Sequence, residues 1–275
     1  INGANRWLYL PINFPIIGSV GFQPTELMKL ALILYLASQL AGKVKETEAF
    51  VFYLSVTLVV FILVILQPNM STALMLFFIA TSVYIVSGND LKPFIYILPM
   101  GLLLSCILML SSPYRRERFL TFLNIVKKSD VQRELGEDYH VKQISIALGS
   151  GGFSGIGIGQ SRQKYSYLPE VGTDSIFAIV GEELGFVGTT AVIAVYTYLL
   201  YLGYTISNLS KDPFSKLASV GITSWIGLQF LINIASMTGL IPLTGIPLPL
   251  ISYGGSSMVF TLAGIGVLAN ISKDL

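Results

Sequence analysis

The sequence is poor in the residue types that build metal clusters and soluble surfaces. It contains one cysteine, Cys106, and one histidine, His140, which excludes an intrachain disulfide and a Cys-rich or His-rich metal site. Only 12% of its 275 residues are Asp, Glu, Lys or Arg, about half the charged share of a typical soluble domain. The formal net charge of +2 indicates no particular class of partner.

Apolar residues take the place of the missing charges. Hydrophobic residues make up 53% of the chain, the mean hydropathy is +0.71, and apolar runs recur along the whole length. A protein surface of this composition would not be soluble in water. The composition therefore excludes a soluble enzyme, a disordered chain and a nucleic-acid-binding protein, and it predicts an all-α polytopic membrane protein.

Seven apolar segments are candidates for membrane-spanning helices. A spanning helix needs roughly 20 mostly apolar residues, because a rise of about 1.5 Å per residue must cover about 30 Å of hydrocarbon. The first and the last candidates are short for this purpose. The predicted spans are Thr25–Ala41, Ala49–Leu66, Met70–Ser87, Phe94–Ser111, Phe186–Ile206, Phe214–Met237 and Met258–Ile271.

The short connections alternate between basic and uncharged sequences. One set carries Lys43 and Lys45, then Lys92, then Lys211 and Lys216, then Lys273, whereas residues 67–69 and 238–257 carry no charge. Short loops rich in Lys and Arg stay in the cytoplasm. We therefore expect the first residue outside the membrane, the C-terminus in the cytoplasm, and the long stretch 112–173 outside.

The stretch 112–173 is a large extracytoplasmic loop with nine Lys or Arg and six Asp or Glu. Loops of this length cross the membrane largely regardless of charge. Its first part, 114–143, predicts an amphipathic or interfacial helix with a polar excursion, and its glycine-rich second part, 147–174, predicts irregular backbone. A loop this long is more often functional than a mere connector.

Asp174 stands where the glycine-rich sequence meets an apolar run, at the predicted outer edge of the membrane. A carboxylate at such a position is unfavourable unless it has a partner or a function. Partial burial raises the pKa of a carboxyl group, which then accepts a proton from a hydroxyl more readily near neutral pH. The structural alternative is a helix N-cap, because Asp is a good capping residue before Ser-Ile-Phe-Ala.

Two further pairs of charged residues lie in apolar surroundings. Glu26 and Lys29 are three residues apart, which places them on one helical face and predicts a structural ion pair directed into the bundle. Glu182 and Glu183 interrupt an apolar stretch in GEELG, and we interpret them as a helix break or a buried hydrogen-bonding group.

Several residues on the predicted outer side could bind a ligand, each with a structural alternative. The three arginines after the fourth span suit lipid phosphates or form a solvated cluster. The donors beside the flexible glycines suit an anion or a sugar, and the tryptophan is a membrane-interface anchor or a stacking surface for a sugar. These candidates are Arg115, Arg116 and Arg118, then Gln160, Arg162, Gln163 and Lys164, and finally Trp7.

The run GLIPLTGIPLPLISYGGSS, from Gly239, is uncharged and rich in proline and glycine. This composition predicts a rigid re-entrant surface in place of a helix, although packing alone would explain it equally well.

Five sequence blocks resemble the SEDS family of bacterial cell-wall proteins, which includes FtsW, RodA and SpoVE. The blocks occur in the family's order and cover essentially the whole chain. Stretches at 157–170 and 222–234 resemble the FtsW and SpoVE branch more than RodA. The blocks are GANRW from Gly3, FQPTELMKLALILYLA from Phe22, QPNMSTAL from Gln67, YLPEVGTDSIFAIVGEELGFVG from Tyr167 and PLPLISYGGSS from Pro247.

The resemblance implies a SEDS-type helical bundle of about ten spans. Residues 1–275 would form a single membrane domain in which the seven predicted spans follow missing N-terminal spans. Asp174 matches the family's essential aspartate, Trp7 matches a functionally important tryptophan, and Glu26 and Lys29 match the polar pair of the QPTELMK helix. The family usually has TDF where this chain has Thr173, Asp174 and Ser175, which leaves the carboxylate in place.

The resemblance also implies an activity, the polymerisation of lipid II into glycan strands on the outer face of the bacterial cytoplasmic membrane, in division or cell-shape maintenance. Asp174 would act as the base in an inverting glycosyl transfer whose leaving group is undecaprenyl diphosphate. Arg115, Arg116, Arg118 or Lys164 would neutralise that diphosphate, alone or with a divalent cation such as Mg²⁺ or Mn²⁺.

The implied partners are a class B penicillin-binding protein, which cross-links the strands, and other divisome or elongasome proteins. A lipid II flippase is the alternative from another functional class. A scaffold for division proteins without chemistry of its own is a third hypothesis.

Overall fold

The computed structural model describes residues 7–14, 18–42, 46–67, 69–95, 97, 99, 101, 103, 116, 120, 137–165 and 172–275. Two strands precede a series of helices, and short 3-10 turns lie at Gln163–Tyr165 and Ser272–Asp274. The elements are β1 (Leu8–Phe14), β2 (Gly18–Phe22), α1 (Pro24–Leu40), α2 (Glu46–Leu66), α3 (Met70–Val86), α4 (Glu137–Ser150), α5 (Ile176–Leu209), α6 (Pro213–Met237) and α7 (Gly255–Ile271).

The chain divides into two compact units. The terminal unit comprises Ile1–Asn89, Val195–Phe230 and Pro249–Leu275, and the loop unit comprises Asp90–Ala194 and Leu231–Leu248. The terminal unit contains β1, β2, α1 to α3, the C-terminal part of α5, most of α6, and α7. The loop unit contains α4 and the N-terminal part of α5.

The predicted spans correspond to helices wherever the structure describes them. Helices α2, α5 and α6 and the segment Gly255–Asp274 are long and apolar enough to cross a membrane, and α3 is a shorter apolar helix. Within the fourth predicted span, 94–111, the six described residues are helical, and the others lie outside the described ranges. The fold is therefore that of a helical multi-pass membrane protein, as the composition predicts.

Helix α5 is longer than its predicted span, which began at Phe186. The helix begins at Ile176 and continues through a break at Gly185, where φ is 65° and ψ is −158°. The polar GEELG sequence lowers the local hydropathy, so the apolar pattern identified only the part after the break.

A two-stranded antiparallel hairpin precedes α1. No sequence pattern predicted this hairpin. Leu8 pairs with Phe22 and Phe14 pairs with Gly18, with an irregularity between Tyr9 and Asn13. At Gly21, opposite Tyr9, a Cβ atom would lie 2.9 Å from the tyrosine ring, so the close pairing favours glycine there.

A helix of the long loop spans the end of its first part and the start of its glycine-rich second part. Helix α4 covers residues 137–150, and its Ile144 and Ala147 are buried on one face. Of the earlier part predicted as an amphipathic helix, Arg116 and Leu120 are described and helical, and most of residues 114–136 lie outside the described ranges.

Small residues allow the helices of the terminal unit to approach closely. A Cβ atom at Gly221 of α6 would collide with Ile33 of α1 and crowd Val83 of α3. A Cβ at Gly264 of α7 would lie 3.2 Å from the ring of Trp225. Close contact at small residues is a common way for helices to associate in membranes, where dispersion forces replace the hydrophobic effect.

Helix α6 begins with a charged N-cap. Pro213 occupies the first helical position, and the carboxylate of Asp212 accepts hydrogen bonds from the backbone N–H of Ser215 at 2.9 Å and from its hydroxyl at 2.8 Å. The backbone hydrogen bond from Ser215, followed by the one from its hydroxyl, holds the pKa of Asp212 below its usual value. The cap therefore stabilises the folded protein when the carboxyl group is ionised.

We expect Asp212→Ala to lower the unfolding temperature in detergent at pH 7, because the first turn of α6 loses its acceptor. A depressed folded-state pKa means that this stabilisation is complete above the unfolded-state pKa of about 4 and is lost as the pH falls through the folded-state pKa. The difference in unfolding temperature between wild type and Asp212→Ala should therefore become smaller as the pH is lowered, which thermal unfolding at a series of pH values measures. Asp212→Asn, which retains an acceptor, is the control, and a difference that grew towards low pH would contradict the cap.

Candidate functional site

Asp174 lies in the turn immediately before α5, in the loop unit. Its relative exposure is 9%, which agrees with the predicted partly dehydrated environment. Because α5 begins at Ile176, Ser175 directly precedes the helix, and Asp174 lies one residue further from it. The hydroxyl of Thr173 donates to Asp174 Oδ1 at 3.2 Å. The structure therefore places a nearly buried carboxylate at the junction of the loop and α5.

Asn233 fixes the backbone of this turn from α6. Its side-chain amide donates to the carbonyl of Asp174 and to the carbonyl of Ile246, both at 2.8 Å, and the residue is fully buried. One amide therefore joins the Asp174 turn to the proline-rich segment that follows α6. Asn233 is not among the predicted site residues, although a polar residue within an apolar span is a signal for such a role.

His140 forms a second connection to the same turn. Its Nε2 lies 2.9 Å from the hydroxyl of Ser175, which is fully buried next to Asp174. His140 lies one helical turn before the buried Ile144 of α4, and thus on the same face. This contact was also missed from the sequence, where the one histidine was considered only as a metal ligand.

The segment 238–254 is irregular, as its composition predicts. Within it Gly245 has a φ of 68°, and a Cβ atom added there would lie 3.8 Å from Asp174 Oδ2. The proline-rich backbone at Gly245 therefore lies close to the carboxylate. In the terminal unit, Tyr196 donates its hydroxyl to the carbonyl of Pro249 and stacks on Phe230 with 4.3 Å between ring centroids.

The break in α5 is filled by residues 151–157 of the glycine-rich loop, which we call the splint. In a continuous helix the carbonyls of Glu182 and Glu183 would accept from residues 186 and 187. Here those carbonyls accept from loop N–H groups, and the two helix N–H groups donate to loop carbonyls. The bonds are Ile156 N to Glu182 O at 3.0 Å, Gly157 N to Glu183 O at 3.0 Å, Phe186 N to Gly152 O at 2.9 Å and Val187 N to Phe153 O at 3.2 Å.

A polar pocket of about 510 Å³ lies beside the splint and is lined by Ser150, Ile156, Gln160, Arg162 and Glu182. The carboxylate of Glu182 accepts from the hydroxyl of Ser161 at 2.5 Å and from the backbone N–H of Arg162 at 3.1 Å. This geometry confirms the interpretation of GEELG as a helix break with a buried hydrogen-bonding group. Gln160 lines the pocket as a predicted ligand-binding residue, whereas Lys164 is exposed and does not line it.

The other predicted binding residues make none of the contacts described above that the structure records. Arg115 and Arg118 lie outside the described residues, and Arg116 is helical and exposed. Trp7, in the terminal unit, is 45% exposed immediately before β1, so its ring is open to a ligand or to lipid.

The Glu26–Lys29 pair forms a buried polar cluster in the terminal unit. Lys29 Nζ lies 2.7 Å from Glu26 Oε2 and donates to Gln229 Oε1 at 3.1 Å. The indole N–H of Trp225 donates to the same Gln229 oxygen at 2.9 Å, and Lys29 Nζ lies 5.1 Å from the centroid of the Trp225 ring. The pairing predicted from the spacing is therefore present, and it joins α1 to α6.

The residues that the structure describes contain no group of three or more His, Cys, Asp or Glu side chains suited to hold a metal ion. Asp174 and Glu182 form no such group, and both oxygens of Glu182 accept from protein donors. These residues do not fit a divalent-cation site by themselves, and the cation inferred from the sequence stays a prediction.

Comparison with known proteins identifies relatives along the whole chain. A family model described as a cell cycle protein, FtsW/RodA/SpoVE, matches residues 1–275. Stage V sporulation protein E of Bacillus subtilis is 38% identical over 276 residues, which cover 99% of this chain and 72% of that protein. A probable peptidoglycan glycosyltransferase FtsW of Geobacter sulfurreducens is 35% identical over 280 residues, covering 99% of this chain and 71% of that protein.

Solved structures share the fold. A chain from a peptidoglycan synthase complex, in a study of how polymerisation and crosslinking are coordinated, matches with a TM-score of 0.77 at 29% identity and covers 100% of this chain and 74% of its own length. The rod shape determining protein RodA of Thermus thermophilus matches with a TM-score of 0.68 at 28% identity, covering 100% of this chain and 71% of RodA.

We expect Asn233→Ala to destabilise the protein by at least about 2 kcal/mol, because two buried carbonyls lose their donor at about 1–3 kcal/mol each. Denaturant unfolding in detergent measures the loss. Asn270→Ala, at an exposed position of α7, is the matched control and should have little effect. Equal stability of the two variants would show that Asn233 does not hold the Asp174 turn.

Replacing Lys29 by Met should cost about 3–5 kcal/mol, because it leaves the buried Glu26 carboxylate without its cation. The double variant Glu26→Gln/Lys29→Met should be more stable than Lys29→Met alone, since no uncompensated charge remains. Thermal unfolding of both variants tests this order. Lys92→Met, which removes an exposed cation 3.5 Å from Asp90, is the control. A double variant less stable than Lys29→Met would contradict the charge argument.

Proposed function

The chain belongs to the FtsW, RodA and SpoVE family, and we propose that it is a peptidoglycan glycosyltransferase that polymerises lipid II into glycan strands. The names of the relatives support this activity, since FtsW proteins that match 99% of this chain are described as probable peptidoglycan glycosyltransferases. Family membership by itself supports a more general conclusion, that the chain is a multi-pass membrane protein with a role in bacterial cell-wall synthesis.

The single observation that carries the proposal is the nearly buried carboxylate of Asp174 at the start of α5. Its backbone carbonyl is held by Asn233, and the backbone of Gly245 lies close to its carboxylate. A nearly buried carboxylate on a fixed turn suits a general base, which must lie within hydrogen-bonding distance of the proton it removes. A helix cap would not require the second tether from α6.

The proposed reaction is an inverting glycosyl transfer. Asp174 accepts the proton of the 4-hydroxyl of the acceptor's N-acetylglucosamine as that oxygen forms a bond to C1 of the donor's N-acetylmuramic acid. The bond from C1 to the undecaprenyl diphosphate oxygen breaks, and its electron pair leaves with the diphosphate. The proton remains on Asp174 until solvent removes it, so no oxidant, reductant or nucleotide is required.

The leaving diphosphate requires positive charge where its own charge develops. We propose that Arg115, Arg116, Arg118 or Lys164 provides that charge, while Gln160 and Trp7 contact the substrate by hydrogen bonding and by stacking. The exposure of Arg116, Lys164 and Trp7 supports this proposal, because their side chains are open to a ligand.

The reaction would take place on the outer face of the cytoplasmic membrane, with residue 1 outside and the C-terminus inside. The distribution of lysine among the short loops supports this orientation. A class B penicillin-binding protein is the proposed partner, together with other divisome or elongasome proteins. The similarity to a chain from a peptidoglycan synthase complex supports such a partner.

We expect Asp174→Asn to reduce glycan polymer formation from lipid II at least about a hundredfold, because the reaction loses its general base. The purified protein in detergent, alone and with a class B penicillin-binding protein, is incubated with lipid II, and polymer length is measured by gel electrophoresis. Asp90→Asn, at a partly exposed aspartate between α3 and the fourth predicted span, is the matched control and should retain activity.

Detergent micelles have no second leaflet, so this assay also tests the flippase alternative. A folded wild-type protein that makes no polymer under either condition would contradict the polymerase proposal and favour a flippase or a scaffold. Polymer formation by Asp174→Asn at the wild-type rate would leave the polymerase in place but remove Asp174 as its base.

A further inference from the structure

Glu182 is a buried carboxylate that the proposed reaction does not use. It is 2% exposed and lies in α5, about two helical turns after Asp174. An ionised carboxylate in such surroundings is costly unless hydrogen-bond donors or a cation compensate its charge. Among the described residues no Lys or Arg pairs with Glu182, so its hydrogen bonds must carry the compensation.

Both oxygens of Glu182 are engaged by one short segment of the loop. Oε2 accepts from the hydroxyl of Ser161 at 2.5 Å, and Oε1 accepts from the backbone N–H of Arg162 at 3.1 Å. The Ser161 hydroxyl in turn accepts from the backbone N–H of Lys164 at 3.1 Å. Hydrogen bonds to a charged acceptor are short and about twice as strong as neutral ones. Glu182 therefore fixes the path of residues 161–164.

The splint makes the same segment rigid from its other end. Its four backbone hydrogen bonds hold residues 152–157 against α5, and Gly157 accepts a further bond from the backbone N–H of Gln160 at 3.1 Å. At Gly155, where φ is 78°, a Cβ atom would collide with the carbonyl of Glu183. Residues 152–164 are thus attached to α5 by backbone contacts at one end and by the Glu182 carboxylate at the other.

The attached segment supplies most of the polar pocket. Ile156, Gln160 and Arg162 line it together with Ser150 and Glu182, and its volume of about 510 Å³ is in the range of small-molecule sites. The side chains of Gln160 and Arg162 are exposed, and within the described residues no acidic group pairs with the Arg162 guanidinium. Arg162 is therefore a cation at a fixed backbone position with its charge open to a ligand.

We propose that Glu182 is a positioning residue that, through Ser161 and the backbone of Arg162, holds Arg162 and Gln160 where they bind the diphosphate of the lipid-linked substrate. A planar guanidinium with fork-shaped donors suits phosphate oxygens, and the Gln160 amide adds a neutral donor. This inference rests on the proposed function. Arg162 adds a cation to the proposed residues Arg115, Arg116, Arg118 and Lys164, and Glu182 contacts no reacting atom.

The first test compares Glu182→Gln with Glu183→Gln in the polymerisation assay. The amide that replaces the Glu182 carboxylate keeps the shape of the side chain. Its NH₂ group is a donor, so it cannot accept from one of the two loop donors, the Ser161 hydroxyl or the Arg162 backbone N–H. We expect KM for lipid II to rise roughly tenfold or more, since a hydrogen bond to a charged group is worth about 1.5–3 kcal/mol, with a smaller change in kcat. Glu183→Gln is the matched control, because none of the described residues hydrogen-bonds Glu183 Oε1.

A double-mutant cycle with Ser161→Ala tests whether Glu182 acts through the loop. Ser161→Ala alone should also raise KM, and adding Glu182→Gln should raise it by less than the product of the two single effects, because both remove the same contact. Ser161→Ala also covers the case in which Glu182→Gln does not fold. A fall in kcat with unchanged KM, a changed pH profile, or multiplicative effects would overturn the positioning role.

A binding measurement separates this inference from the proposed function. Labelled undecaprenyl diphosphate is titrated into wild type, Glu182→Gln and Arg162→Gln. Polymer formation from lipid II is measured separately with the same three proteins. We expect about tenfold weaker binding to both variants. If wild type makes no polymer yet binds the diphosphate and the variants do not, the polymerase proposal fails and the positioning role stands. If wild type makes polymer and all three bind equally, the positioning role fails alone.

Discussion

A backbone N–H or carbonyl that loses its partner on folding is costly wherever water does not reach it, and this constraint governs the loop unit. The break at Gly185 would leave two carbonyls and two N–H groups of α5 without their helical partners. Residues 151–157 supply all four partners, so the kink and the glycine-rich loop can exist only together. The polar pocket, the path of the loop and the burial of Glu182 follow from this exchange. The functional region is built on a helix defect repaired by a distant segment.

Neutral hydrogen bonds position the candidate base. Asn233 binds the backbone carbonyl of Asp174, and His140 contacts the hydroxyl of Ser175, the residue that follows it. Both contacts act on the turn, and the hydroxyl of Thr173 donates to the carboxylate itself. The Glu26–Lys29 pair differs from this arrangement, because there the charges compensate each other and their function is to hold helices together. Buried polar residues thus serve two separate purposes, one at the candidate site and one between helices.

Hydropathy was sufficient to predict the spans but not the contacts between them. Helices α2, α3 and α6 lie close to their predicted bounds, because an apolar run of fixed length is a property of local sequence. The burial of Asp174 and the Glu26–Lys29 pairing were likewise predictable from position and spacing. The hairpin and the splint were not, since they join backbone groups that carry no sequence signal. The tether from Asn233 was missed too, because a polar residue within a span does not reveal which groups it binds. Only the glycines of the loop and the polar GEELG sequence indicated that something unusual occurs there.

The break at Gly185 also sets a distance. Residues 176–184 form a short helical segment between the splint and the candidate base, about 13 Å long at about 1.5 Å per residue. One residue added to or removed from this segment would turn Asp174 by about 100° around the helix axis and shift it by about 1.5 Å. Apart from Glu182, side-chain identities in the segment could change during evolution far more easily than its length. The segment is therefore a molecular ruler, and insertions and deletions should be excluded from it more strictly than substitutions.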